Sequence, residues 1–183
     1  METITVRRMD FREETVVLRF VQRVFQKKYG AAPDDLLEHC LVATHDHKII
    51  GSLSIECSNT FEIEQFMAID FATLPAPREL TASFGRWAAT DPRAGTALAF
   101  AGILFALNSG KLQCIACAKP RLIKYLQEHL RLPLRTFNLP LRPLARDRKF
   151  FVDTPQPVFY TWTPGDWHDL LKGKLHPSII IQV

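Results

Sequence analysis

The chain has 183 residues, 47% of them hydrophobic and 23% charged, and a formal net charge of +4. That balance excludes a disordered or low-complexity chain, and the length suits one domain over residues 1–183 with a full-sized core. The longest uncharged apolar run, residues 95–109, is shorter than the ~20 residues that cross a bilayer, so it reads as a buried helix and no membrane span is expected. The first twelve residues mix both charge signs without an apolar stretch, so no export signal is read and the expected compartment is the cytoplasm.

Residues 4–7 alternate and predict a first strand. Residues 13–29 predict a helix, with Val16, Val17, Phe20, Val21, Val24 and Phe25 on one stripe, Arg19, Arg23, Gln26 and Lys27 opposite, and Gly30 as its stop. Residues 40–44 and 49–56 predict a hairpin around the turn 45–48. Residues 61–66 alternate Phe, Glu, Ile, Glu, Gln, Phe, which predicts another strand with Glu62 and Glu64 on one face. A proline loop at 74–77 leads into a long extended segment, 78–88. Asp91 is then a good N-cap and Pro92 a good first helical residue for a helix that ends at Gly110. A strand at 112–118 and an amphipathic helix opened by Pro120 follow. Beyond Leu130 the chain is punctuated by proline. The pieces 149–152 and 158–162 read as edge strands, 166–171 as a short helix and 178–183 as a last strand or tail, so 145–183 forms a proline-rich C-terminal part. The order predicts an α/β (α+β) fold, a mixed and mostly antiparallel sheet with helices on both faces.

Four cysteines without an export signal argue against a disulfide framework. Cys114 and Cys117 form a C-x-x-C within a predicted strand, where residues three apart face opposite sides. His39, His45 and His47 lie on a strand and a hairpin tip, so no metal site is expected. Charge is uneven. Residues 111–149 hold ten basic and two acidic side chains, a local +8 that calls for an anionic partner. Only Tyr125 is interleaved with the basic face of its helix, which argues against a nucleic-acid surface.

Three segments carry a family resemblance: Phe25-Gln26-Lys27-Lys28-Tyr29-Gly30-Ala31, then Ile50-Gly51-Ser52-Leu53 with Phe61-Glu62-Ile63-Glu64-Gln65-Phe66, and Gly85-Arg86-Trp87-Ala88. With the element order, they resemble the GNAT-like acyltransferases. The particular branch holds the N-acyl-homoserine lactone synthases, the so-called thermostable hemolysin family and bacterial N-acyl amino acid synthases. The resemblance covers residues 15–145 and implies transfer of an acyl group from a thioester to the amine of a small molecule or amino acid. It departs at Ser83, where those families carry glutamate, and at the acyl-CoA loop, of which only Gly95-Thr96-Ala97 is matched. That second departure tilts the donor toward acyl carrier protein over acyl-CoA, with a phosphopantetheine-linked thioester as co-substrate and no tightly bound cofactor. The alternative is a catalytically inactive GNAT-like module that binds an acyl chain or a carrier protein.

Acyl transfer needs a base for the amine, donors for the oxyanion and a cleft that holds both substrates. Glu64 is the expected base and Ser83 the second catalytic candidate. Glu62, Phe84, Arg86 and Trp87 are the expected substrate contacts, with Arg86 read either as a ligand for an acceptor carboxylate or as the partner of a nearby glutamate. Phe61, Phe66, Phe71, Phe84, Phe100 and Phe105 are candidates for an acyl tunnel or for ordinary core. The donor is expected at Ala88, Ala89, Thr90, Arg93, Gly95 and Thr96, with Lys119, Arg121, Lys124 and Arg131 on one helix and Arg142, Arg146, Arg148 and Lys149 in the loop after it receiving the carrier protein or its phosphate.

Overall fold

The computed structural model describes residues 3–183. One eight-stranded sheet runs through it. Its strands are β1 (Ile4–Arg8), β2 (His39–His45), β3 (Lys48–Glu56), β4 (Thr81–Ala89), β5 (Gln113–Ala118), β6 (Arg135–Phe137), β7 (Val158–Trp162) and β8 (Ile179–Gln182), ordered β6-β7-β5-β4-β3-β2-β1-β8. Only β1/β8 and β4/β5 are parallel, and the other pairs are antiparallel. The β2–β3 hairpin turns on Asp46 and His47, both left-handed at φ 47° and 62°. Those signs suit a two-residue hairpin loop that matches strand twist.

Helices cover both faces, as the sequence predicts. The first is α1 (Glu14–Tyr29), whose buried Val17, Phe20, Val21 and Val24 pack on Cys40, Val42 and Ala88, while Val16, expected on the same stripe, lies one residue round the helix and is exposed. Gly30, at φ 63°, stops it in the left-handed cap that glycine favours. The second, α2 (Pro92–Asn108), lies on the opposite face. It is buried nearly all round because α5 (Pro164–Lys172) covers the side turned away from the sheet. Its alanines and Gly102 bring it close to the strands. A Cβ on Gly102 would lie 2.7 Å from Phe84 Cε2 and 2.8 Å from Leu53 Cδ2. Two shorter helices, α3 (Pro120–Lys124, continuing into a π turn) and α4 (Lys149–Val152), flank the C-terminal strands.

Several predicted elements are corrected. Residues 61–66 are not a strand, because Glu62–Gln65 is a 3-10 turn. Glu64 folds back to accept the Phe61 N–H at 3.1 Å, and this local closure outcompetes a ladder. Glu62 and Glu64 therefore share no strand face. The 149–152 piece is one turn of helix, and β7 is an interior strand between β6 and β5. The last strand is real and runs parallel to β1.

Two irregularities in β4 open the sheet at its centre. Pairing with β3 slips between Ser52 and Ser54, and the extra residue on β4 is met at Arg86, whose φ is 52°. Such a bulge bends and twists its strand and re-aims the side chain it carries. Pairing with β5 covers only three positions, Thr81↔Gln113 to Ser83↔Ile115. Past Ser83 the two strands part, while β5 stays paired with β7 up to Ala118.

Candidate active site

The gap between the parted strands opens into a cavity of about 490 Å³. Strand alternation gives it two unlike halves. Phe84, Ala116, Tyr160 and Trp162 point to the α2 side and, with Leu53, Ala99 and Trp167, make an apolar chamber. Ser83 and Cys117, one residue out of phase, point the other way, as does Glu56 after the buried Ile55. Asp35, Glu62 and Arg86 also line this polar half. The cavity thus passes through the sheet from an apolar chamber to a charged one.

Glu56 is the central group of the polar half. It closes β3, a strand uncharged from Ile49 to Ile55, and lies in register with Ser83 on β4. It is 8% exposed. Its Oε1 accepts the Glu62 N–H at 2.9 Å, while Oε2 is buried with no hydrogen-bond partner. Burial pushes its pKa up, and the neighbouring Glu62 charge adds to this. The Glu62 backbone N–H, the nearby Ser83 hydroxyl and the Arg86 charge act against it. A buried carboxylate thus stands opposite Ser83, supplied by the neighbouring strand.

Arg86 is 16% exposed on its side chain. Its Nη2 donates to Glu62 Oε1 at 2.6 Å and to Asp35 Oδ1 at 2.9 Å, and its Nε donates to the Asp35 carbonyl at 3.1 Å. The bulge aims this guanidinium between the 3-10 turn and the loop after α1, pinning both beside Glu56. Glu64 lies elsewhere. It forms a two-pronged ion pair with Arg78, whose guanidinium stacks on Phe71, and it does not line the cavity.

The expected substrate and donor residues divide. Phe84, Trp87 and Lys119 line the cavity, but Ala88, Ala89, Thr90, Arg93, Gly95, Thr96, Arg121 and Lys124 do not. The start of α2 is closed by its own side chains. Asp91 accepts the Arg93 N–H at 2.7 Å, and the Arg93 guanidinium folds back onto the same carboxylate at 2.8 Å. Lys124 faces Glu128 on its own helix. Of the tunnel candidates, Phe66 and Phe84 line the cavity, whereas Phe61, Phe71, Phe100 and Phe105 are elsewhere. Of the cations expected in the loop after α3, Arg148 and Lys149 line the cavity next to α4.

Backbone donors face the gap too. Thr90 donates its N–H to Ile50 O at 2.9 Å, so alternation turns the N–H groups of Ala89 and Trp87 away from β3. Lys28 Nζ covers Ala89 by donating to its carbonyl at 3.2 Å, and Trp87 lines the cavity. Cys114 packs in the α2-side core and Cys117 on the opposite face, as the spacing predicts. Burial pushes the Cys117 thiol up to about 12, so it stays protonated near neutrality. Among the described residues no cluster of His, Cys, Asp and Glu could hold a metal ion. Among the same residues no helix is long and apolar enough to cross a membrane.

The mixed, mostly antiparallel sheet with helices on both faces is the expected fold, and solved structures of acyltransferases share it. Similar solved structures include FeeM, an N-acyl amino acid synthase from uncultured soil microbes, at TM-score 0.69 and 13% identity over 93% of this chain and 96% of that one. TofI, in a ternary complex with an inhibitor and MTA, gives TM-score 0.67 and 15% identity over 96% and 98%. BjaI, a CoA-dependent acyl-homoserine lactone synthase with SAM and isopentyl-CoA, gives 0.65 and 16% over 100% and 94%. No protein-family model and no curated protein matches the sequence.

Proposed function

We propose that the chain is an N-acyltransferase that moves an acyl group from a thioester to the amine of a small molecule, with Glu56 as its general base. The observation that carries this reading is a buried carboxylate oxygen without a donor, beside a gap in the sheet that leads to an apolar chamber. The acyl chain lies in the apolar half and the amine in the polar half. Glu56 takes a proton from the amine as its nitrogen attacks the thioester carbon. The N–C bond forms, the Trp87 N–H stabilises the oxyanion, the C–S bond breaks, and the proton held by Glu56 passes to the leaving sulfur to give the thiol. Ser83 lies in register with Glu56 and takes no proton itself.

The donor in this reading is acyl carrier protein. The N-terminal amides of α2, a natural seat for a pyrophosphate, are taken up by Asp91 and covered by Arg93. The cavity lining instead offers Lys119, Arg148 and Lys149, within the most basic part of the chain. The direct test incubates the purified protein with matched acyl carrier protein and acyl-CoA thioesters and a panel of amines, following free thiol and N-acyl product by mass spectrometry. Turnover with a preference for the carrier-protein donor is expected. Donor binding without turnover across the panel would identify an inactive binding module instead.

Chamber size supplies a second prediction. Gly102→Ala sets a methyl against Phe84 and Leu53, both of which line the chamber. Overpacking of this kind costs about 1–3 kcal/mol. The side chain with room to yield is Phe84, which moves into the cavity. The longest acyl chain accepted should shorten by about two carbons or more, at the ~2–4 °C of Tm per kcal/mol usual for a chain of this size. Unchanged chain-length preference in the folded variant would remove Phe84 from the acyl wall.

A further inference from the structure

The polar half of the cavity has a charge balance that constrains the acceptor. The cations there are already engaged within the chain, although Arg148 and Lys149 stay about half exposed and can still meet a carrier protein. Arg86 is shared by Glu62 at 2.6 Å and Asp35 at 2.9 Å, and Arg148 Nη1 donates to Asp34 Oδ2 at 2.7 Å. Lys119 Nζ donates to the carbonyls of Asp153 and Pro155 at 2.8 and 3.0 Å, and Lys149 Nζ sits 3.8 Å from the Asp153 carboxylate. The guanidinium nitrogen of Arg86 that bonds neither carboxylate, Nη1, belongs to a charge that two carboxylates balance. The unmet group is an acceptor, the buried Oε2 of Glu56. Facing it are the Glu62 backbone and charge, the Ser83 side chain and the Arg86 charge.

We infer that the acceptor is a primary amine with no carboxylate on the carbon next to its nitrogen, such as an alkylamine, an arylalkylamine or a diamine, and not an α-amino acid. This rests on the reading of Glu56 as the base. An ammonium group supplies the donor that Glu56 Oε2 lacks and is drawn to the three carboxylates, Glu56, Glu62 and Asp35, gathered about the one guanidinium of Arg86. In an α-amino acid the carboxylate is two bonds from the nitrogen. With the nitrogen on Glu56, that carboxylate would lie among Glu56, Glu62 and Asp35, with one already shared guanidinium to meet it. Like charges held that close in a low-dielectric cavity repel strongly. Arg86, one of whose expected roles was to bind an acceptor carboxylate, here binds the protein's own.

The test uses the full chain with one acyl thioester donor and matched acceptors that differ only at the carboxyl group: tyramine, tyrosine and tyrosine methyl ester, and phenethylamine, phenylalanine and its methyl ester. Each set competes in one reaction, with N-acyl products counted by mass spectrometry. The amine should be acylated at least tenfold faster than the amino acid, and the ester should follow the amine, because it keeps the bulk and removes the charge. Equal use of acid and amine, or preference for the acid, overturns the inference while leaving acyl transfer standing. An ester as poor as the acid also overturns it, since bulk and not charge would then be the cause. Absence of product from every acceptor, with donor binding intact, overturns the acyl-transfer reading and this inference together. Glu62→Gln in the same competition should raise the share of amino-acid product at least fivefold. An unchanged ratio in that variant counts against the role given to the carboxylate surplus.

Discussion

Glu56→Gln is expected to lower the rate of acyl transfer by about 10²–10⁴-fold, the usual contribution of a general base, and to make the protein more stable at neutral pH. The two effects have one origin. Burial raises the Glu56 pKa in the folded chain, so the native state holds a proton that the unfolded chain, at its ordinary 4.5, has released. Stability therefore falls as pH rises from the ordinary carboxylate range through the raised value, and stays reduced above it. Glutamine keeps an oxygen to accept the Glu62 N–H and carries no charge, so it escapes that loss. The wild-type rate has the opposite slope. It climbs with pH through the same raised pKa, because only the ionised carboxylate takes the proton. Thermal melts of both proteins at pH 4 and pH 8, alongside a pH–rate profile, read all of this. A variant that loses activity and also melts lower at pH 8 would make Glu56 a structural residue.

Arg86→Met should be the most damaging single change to the fold around the site. The guanidinium is largely buried and is held by Glu62, itself mostly buried, and by the more exposed Asp35. Removing one member of a buried pair leaves the other charge uncompensated, typically at about 3–5 kcal/mol, and the exposed Asp35 arm places this case near the lower end, about 3 kcal/mol. Arg86→Gly loses the same pair but relieves a left-handed backbone that costs a non-glycine residue about 1 kcal/mol, so it should melt above the methionine variant. Arg86→Lys keeps the charge without the two-pronged fork and should fall between wild type and methionine. Removing the cation that faces Glu56 should also move the acidic limb of the pH–rate profile upward. Denaturant titrations and that limb are the measurements. Equal stability of the methionine and glycine variants would contradict the backbone part of the argument.

Much of the architecture was legible because it follows local rules. The stripe of Val17, Phe20, Val21 and Val24, the Asp91-Pro92 start and Gly110 stop of α2, and the opposed faces of Cys114 and Cys117 all depend on neighbours in sequence. The site was less legible because it depends on register. Glu56 is an unremarked strand end until β3 and β4 pair and set it opposite Ser83, 27 residues on. Its one local sign is a carboxylate closing an otherwise uncharged strand. Glu64 misled for the reverse reason. Its alternating neighbours imitate a strand, but its carboxylate closes a 3-10 turn and is claimed by Arg78. Arg93 misled because no pattern in the sequence shows a guanidinium folding back onto its own helix cap.

Three residue pairs join β4 to β5, and they divide the sheet into two plates. One plate holds five strands, β8, β1, β2, β3 and β4, and the other three, β5, β7 and β6. The line between them is paired at one end and open at the other. A change in the angle between the plates changes the width of the open end, while the groups within each plate keep their spacing. Glu56 and Arg86 ride on the larger plate, and Cys117, Tyr160 and Trp162 on the smaller. The reacting groups and the far wall of the acyl chamber can therefore vary independently. Chain-length preference should accordingly respond to residues where α2 and α5 pack across the two plates, many of which touch neither substrate.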